Sequence, residues 1–160
     1  FVILHVKETL ELKGMDVGIF VSMQMTGGML SNLLWGRLSG LNLNKFIILS
    51  SYLAMFIALL LAVFAQEIYW FYLVFFLGGS AIDGFRLGFN QLILIVAPEG
   101  KRPAYVAILN NITSLGLFLS IPGGAIYDWL GFNGLIQFTL SLLVLGFILS
   151  LSLKRYCAPT

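Results

Sequence analysis

The chain has 160 residues, of which 59% are hydrophobic and only 10% are charged, and its formal net charge is +2. Because soluble domains average about 25% charged residues, this composition excludes an ordinary soluble protein and makes a lipid bilayer the expected solvent. The single cysteine, Cys157, excludes an internal disulfide, and the single histidine, His5, argues against a zinc site of the usual kind. We expect no cofactor and no bound nucleic acid, since the basic residues are scattered.

Long uncharged runs divide the chain into segments that match the thickness of a membrane. A transmembrane helix needs about 20 mostly apolar residues, and these runs lack the alternation of barrel strands. The sequence therefore predicts an all-α integral membrane protein, an antiparallel transmembrane helix bundle with about five full spans and a partial one. The predicted spans are about 17–39, 45–66, 68–97, 104–128 and 131–153, and residues 1–13 are predicted to be the end of a preceding helix and an external loop.

The first residues of the chain predict that it is a fragment, and its basic residues predict its orientation in the membrane. We expect a fragment that starts inside a transmembrane segment, because residues 1–6 are mostly apolar and no initiator methionine is present. Six of the nine basic residues fall on one side of the membrane when the loops alternate, which predicts a cytoplasmic C-terminus in an inner or plasma membrane. These six are Arg37, Lys45, Lys101, Arg102, Lys154 and Arg155.

Residues 79–91, GSAIDGFRLGFNQ, bring polar side chains into the third span. Spacings of three and four residues place Asp83, Arg86 and Asn90 on one face of a helix. Each charge at the bilayer centre costs about 2.5–3.5 kcal/mol on insertion scales, so this face must meet a protein interior or a water-filled cavity. Gln24 is a milder polar residue in the first span and is a further candidate for that cavity.

Three interpretations of this charged face stay open. In the first, it lines a translocation pathway in which Asp83 carries a proton or cation and Arg86 contacts an anion or carboxylate. In the second, the two residues form a structural ion pair or interhelix clamp. In the third, one of them pairs with a charge outside this chain. An intramembrane enzyme is not expected, because the spans contain no pair of catalytic aspartates and no Ser–His arrangement.

Three segments resemble one known family, the major facilitator superfamily. Residues 36–45, GRLSGLNLNK, resemble its cytoplasmic loop motif GxLxDRxGRR: Gly36, Leu38 and Lys45 match, while Gly40 stands where the motif has Asp. Residues 97–105, APEGKRPAY, resemble the loop between its tenth and eleventh helices. Residues 123–131, GGAIYDWLG, resemble the end of its eleventh helix.

The resemblance implies that residues 1–160 are the C-terminal half of a transporter in which two six-helix bundles rock about a central site. It implies a monomer that uses alternating access and takes the bilayer, a small-molecule substrate and the N-terminal half of the same chain as partners. We expect Gln24, Asp83, Arg86 and Asn90 at the central cavity, with Asp83 as the candidate for proton coupling. The residues expected to form the cytoplasmic gate loop are Gly36, Arg37, Gly40 and Lys45. The alternative is a non-transporting membrane scaffold or assembly protein in which Asp83 and Arg86 form a clamp.

Overall fold

The computed structural model describes residues 2, 6 and 14–153, apart from the side chains of residues 117, 119 and 120. The expectations for His5, for the loop at 7–13, for Lys154 and Arg155 and for Cys157 lie outside these residues. Helices and short connections make up the described part, which contains no strand, so the prediction of an all-α bundle is confirmed. The elements are α1 (Gly14–Gly40), α2 (Asn44–Phe64), α3 (Ile68–Val96), α4 (Arg102–Leu115), a 3₁₀ turn (Gly116–Leu119) and α5 (Ser120–Leu151).

Helix α3 is the centre of the bundle. It packs along most of its length against α1 on one side and α2 on the other, whereas α1 and α2 touch little. Helix α5 packs on α2, and α4 contacts α3. The connections at 41–43 and 65–67 are short, so α1, α2 and α3 run antiparallel in chain order. Helix α3 consequently has neighbouring helices on two sides.

Glycines set the distance between α1 and α3. Gly27 lies against the backbone of Phe76, and Gly79 lies against the backbone carbonyl of Gln24, so a methyl group at either glycine would overlap main-chain atoms. Small residues let membrane helices approach closely, which increases their van der Waals contact. The contact is supported further along by Trp35, whose indole Nε1 donates a hydrogen bond of 3.1 Å to the Ser80 carbonyl.

Four helices meet in an apolar core at the end of the bundle that holds the 65–67 connection. Phe20 of α1 is buried there and stacks on Phe75 of α3, with 4.9 Å between ring centroids. Burial of large side chains of this kind stabilises a bundle by about 1.5–3 kcal/mol for each side chain. The buried members of the core are Val6, Phe20, Ala58, Ala62, Phe71, Val74, Phe132 and Ile136.

The number of spans differs from the sequence prediction. Among the described residues, four helices are long and apolar enough to cross a membrane by length and composition: Gly14–Gly40, Asn44–Phe64, Ile68–Val96 and Ile121–Leu151, the last of which is interrupted at Gly131. The predicted span at 104–128 is not one continuous α-helix, because α4 ends at Leu115 and a 3₁₀ turn precedes α5. Pro122 explains the break, since it lacks an N–H and its ring clashes with the carbonyl four residues earlier. The break therefore lies in the 3₁₀ turn just before Pro122.

Helix α5 is itself divided at Gly131, where φ is 68° and ψ is −173°. In a straight helix Pro122 and Leu142 would be about 30 Å apart, yet both line one cavity. The chain therefore folds back at Gly131, and residues 120–130 and 132–151 are two helical segments. The break falls where the sequence places the boundary between the fourth and fifth predicted spans.

Replacing Gly131 with alanine should destabilise the protein by about 1–3 kcal/mol, because its backbone angles belong to a region that only glycine adopts without strain. Gly116→Ala is the matched control, since Gly116 has a helical φ of −58° and open space around its Cα. Thermal unfolding of the purified protein in detergent measures both variants. Equal melting temperatures for the two would contradict the strained turn.

Candidate functional site

The carboxylate of Asp83 lies against α1 rather than in open lipid. Asp83 is half-buried, and Nδ2 of Asn32 donates a hydrogen bond of 3.0 Å to its Oδ2. Gly28 faces the same oxygen, and a methyl group at Gly28 would overlap it. Sequence reasoning missed Asn32, although Gln24, Gly28 and Asn32 are spaced four residues apart and so share one face of α1.

Two adjoining depressions form one open groove beside Asp83, here called the central groove. The first has a volume of about 480 Å³ and is lined by Gln24, Asn32, Gly79 and Asp83 among others. The second has a volume of about 350 Å³ and adds Arg86, Asn90 and Gln91 to Asn32 and Asp83. The structure thus brings all four predicted cavity residues to the central groove, with Gln24 at one end and Asn90 at the other.

Arg86 lies one turn beyond Asp83 but does not pair with it. Within residues 14–153 no ion pair joins the two side chains, and the carboxylate takes its hydrogen bond from Asn32 instead. The side chain of Arg86 is exposed at the groove. The contact that the clamp interpretation needs is therefore not formed here, and the guanidinium is free to meet water or a solute.

A third depression, here called the α3–α4 cavity, opens on the other side of Arg86. Its volume is about 390 Å³. Asn90 also lines it, and its Oδ1 atom is buried without a hydrogen-bond partner among the residues that the structure describes. The lining residues are Ile82, Phe85, Arg86, Phe89, Asn90, Leu109, Asn110 and Thr113. Because Arg86 and Asn90 line both spaces, the α3–α4 cavity continues the central groove.

The segment expected to form a gate loop is mostly helical. Gly36, Arg37 and Gly40 lie in the last turns of α1, and Lys45 lies in the first turn of α2. Only residues 41–43 are non-helical, and Asn42 has a φ of 58°, a conformation that asparagine tolerates in turns. The motif therefore shapes a tight turn between two helices.

Lys45 joins this turn to the far end of α5. Its Nζ donates hydrogen bonds of 2.5 Å and 2.7 Å to the carbonyl oxygens of Leu151 and Leu153. A cation is favourable at this position because the last carbonyls of a helix lack partners and carry the negative end of the helix dipole. The 41–43 turn and the end of α5 consequently lie at the same end of the bundle.

Lys45→Met should lower the free energy of unfolding by about 1–2 kcal/mol, because two charge-assisted hydrogen bonds to α5 are lost while the apolar stem is kept. Lys101→Met is the control, since Lys101 is an exposed lysine in another connection. Chemical denaturation in detergent compares the two. A loss for Lys45→Met no larger than that for Lys101→Met would show that the contact contributes nothing.

Metal chemistry finds no support within the described residues, where no group of three His, Cys, Asp or Glu side chains could hold an ion. The helices are long and apolar, and their polar side chains lie along one groove. These features define a multi-pass integral membrane protein. The sequence model of the Major Facilitator Superfamily matches residues 1–156, and the chain belongs to this superfamily. The superfamily consists of membrane transporters, so a membrane transporter of small molecules is the class of this protein. No curated protein and no solved structure matches the chain.

Proposed function

We propose that this protein is a secondary active transporter that moves a small solute by alternating access, with proton coupling at Asp83. The observation that supports the proposal best is the separation of Asp83 and Arg86, which line one open groove without pairing. An uncompensated charge in a span costs about 2.5–3.5 kcal/mol unless water or a ligand solvates it. A groove that takes up water and solute accounts for both charges.

The partner of Asp83 suits a group that gains and loses a proton. Asn32 is uncharged, and its side-chain amide has two donors and an acceptor oxygen. In the structure Oδ2 of Asp83 accepts the amide N–H of Asn32, and a carboxyl group that carried a proton would donate to the amide oxygen after a rotation of the side chain. Both protonation states are therefore satisfied without moving the helices, so Asp83 is the proposed coupling residue.

The packing of the bundle supports movement as a unit. Helix α3 is held to α1 by the contacts of Gly27 and Gly79, and α2 is held to α5 by Lys45. We propose that this bundle is one of two that rock about the central groove in a monomeric protein. In this proposal the turn containing Gly36, Arg37, Gly40 and Lys45 closes the cytoplasmic end, and the C-terminus is cytoplasmic.

Transport is tested in inside-out membrane vesicles that contain the complete protein and are acidified by respiration. An internal pH-sensitive dye reports proton efflux while amino acids, organic acids, sugars and organic cations are added one class at a time. At least one class should discharge the gradient in these vesicles if solute and protons exchange, or should accumulate in respiring right-side-out vesicles if they move together, and neither should happen in vesicles that lack the protein. If no class discharges the gradient in the first and none accumulates in the second, the protein is not a proton-coupled transporter.

A further inference from the structure

The α3–α4 cavity has the composition of a binding site for an amphipathic molecule. Most of its wall is apolar, and Phe85 and Phe89 of α3 face Leu109 of α4 across it. Its volume of about 390 Å³ falls within the range of small-molecule sites, which is roughly 300–1,000 Å³. Such sites combine an apolar wall with a few polar groups that fix the orientation of the ligand.

Arg86 is the charged residue of that wall. Its guanidinium forms no ion pair or hydrogen bond within the described residues, so its donors are available. A guanidinium has donors in a planar fork that matches a carboxylate with two parallel hydrogen bonds. A ligand with a single negative charge would balance this cation, whereas the described residues that line the cavity include no second cation for a dianion such as phosphate.

Asn90 sets a second requirement for the chemistry of the ligand. It lies one turn beyond Arg86 on the same face of α3, and its Oδ1 is buried without a partner. A buried acceptor without a hydrogen bond costs about 1–3 kcal/mol. Rotation of the Asn90 side chain toward the cavity would let a ligand donate to this oxygen and remove the cost. The ligand is therefore expected to have a hydroxyl or ammonium group close to its negative charge.

We propose that the α3–α4 cavity binds an organic carboxylate that carries an adjacent hydrogen-bond donor and an apolar body. Its carboxylate contacts Arg86, its hydroxyl or ammonium group donates to Asn90, and its apolar body packs against Phe85 and Phe89. This substrate class rests on the proposed transport function, because it assigns the cargo of the same groove. The cavity favours such a carboxylate over a neutral solute, because a neutral solute offers the guanidinium no charged partner in exchange for its water.

Binding is measured on the complete purified protein in detergent, by the rise in melting temperature with ligand concentration. The probes are a panel of 2-hydroxy and 2-amino carboxylates with aliphatic or aromatic side chains, the carboxamide of each, and inorganic phosphate. At least one carboxylate should bind about tenfold or more tightly than its carboxamide, since hydrogen bonds to charged groups contribute about 1.5–3 kcal/mol. Equal binding of acid and amide, binding of phosphate alone, or no binding by any carboxylate would overturn the proposal.

Two substitutions test whether the carboxylate binds in this cavity. Arg86→Gln should raise its Kd about tenfold or more, and Asn90→Asp should do the same because it puts a negative charge beside the guanidinium while keeping the side-chain shape. Arg102→Gln, an exposed arginine outside the cavity, is the control and should leave the Kd unchanged. Unchanged affinity in either cavity variant that folds would exclude this site.

The binding test needs no proton gradient, so it separates the cargo from the transport activity. If carboxylates bind through Arg86 but no solute moves in vesicles, the binding site stands and the proposed transport function fails. If the vesicles transport only neutral solutes and carboxylates do not bind, the transport function stands and the proposed cargo fails.

Discussion

Gly79→Leu should prevent α1 and α3 from packing and leave little folded protein. The Cα of Gly79 lies against the main-chain carbonyl of Gln24, so any side chain at position 79 overlaps backbone. Overpacking in a protein interior typically costs about 1–3 kcal/mol, and we expect more than 3 kcal/mol here because a backbone obstacle cannot change its rotamer. That loss is a large part of the stability of a typical domain, about 5–15 kcal/mol.

Gly78→Leu is the matched control for this prediction. Gly78 is the neighbour of Gly79 in the same helix, yet nothing lies within 4 Å of a Cβ built on it. The added leucine therefore starts from a Cβ in open space rather than against backbone, and it should leave the protein folded. Size-exclusion chromatography of fluorescently tagged protein measures the monodisperse fraction of both variants. If Gly79→Leu and Gly78→Leu elute alike, the close approach of α1 and α3 is wrong.

Asp83→Asn should abolish accumulation of the solute while allowing it to equilibrate across the membrane. The substitution keeps the shape of the side chain and permits hydrogen bonding with Asn32, but the side chain no longer binds and releases a proton. A gradient of two pH units contributes about 2.7 kcal/mol for each proton, which supports accumulation up to about a hundredfold for one proton per solute. The variant should therefore fall from such a ratio to about one.

Asp128→Asn controls for the loss of one negative charge. Asp128 is exposed next to the turn at Gly131, and it lines neither the central groove nor the α3–α4 cavity. Accumulation of radiolabelled solute in proteoliposomes with an imposed pH gradient measures both variants, and Asp128→Asn should accumulate as the wild type does. If Asp83→Asn also accumulates solute against its gradient, protons are coupled elsewhere.

Features set by local geometry could be predicted from the sequence. The charged breaks place α1, α2 and α3 within a few residues of the helices observed, because apolar runs of this length leave few alternatives in a membrane. The spacing of Asp83, Arg86 and Asn90 predicts that they share a face, and the structure places all three along the central groove. Helical periodicity alone determines that the three residues share a face of α3.

Contacts between distant parts of the chain could not be predicted in this way. The hydrogen bond from Asn32 to Asp83 joins residues 51 positions apart, and those from Lys45 reach carbonyls 106 and 108 positions away. Such partners depend on which helices pack together and at what rotation, and hydropathy does not contain that information. Pro122 marks the span at 104–128 as interrupted, but the end of α4 at Leu115 arises within an apolar run that carries no signal for its position.

The most direct test of alternating access is the reactivity of one position in the α3–α4 cavity from both sides of the membrane. Thr113→Cys is made in the complete protein, with Cys157→Ser and replacement of any other native cysteine, and is treated with a membrane-impermeant thiol reagent from each face. The account predicts labelling from both faces, with a transported solute raising the rate from one face and lowering it from the other. Labelling from a single face under every condition, with or without solute and pH gradient, would contradict it.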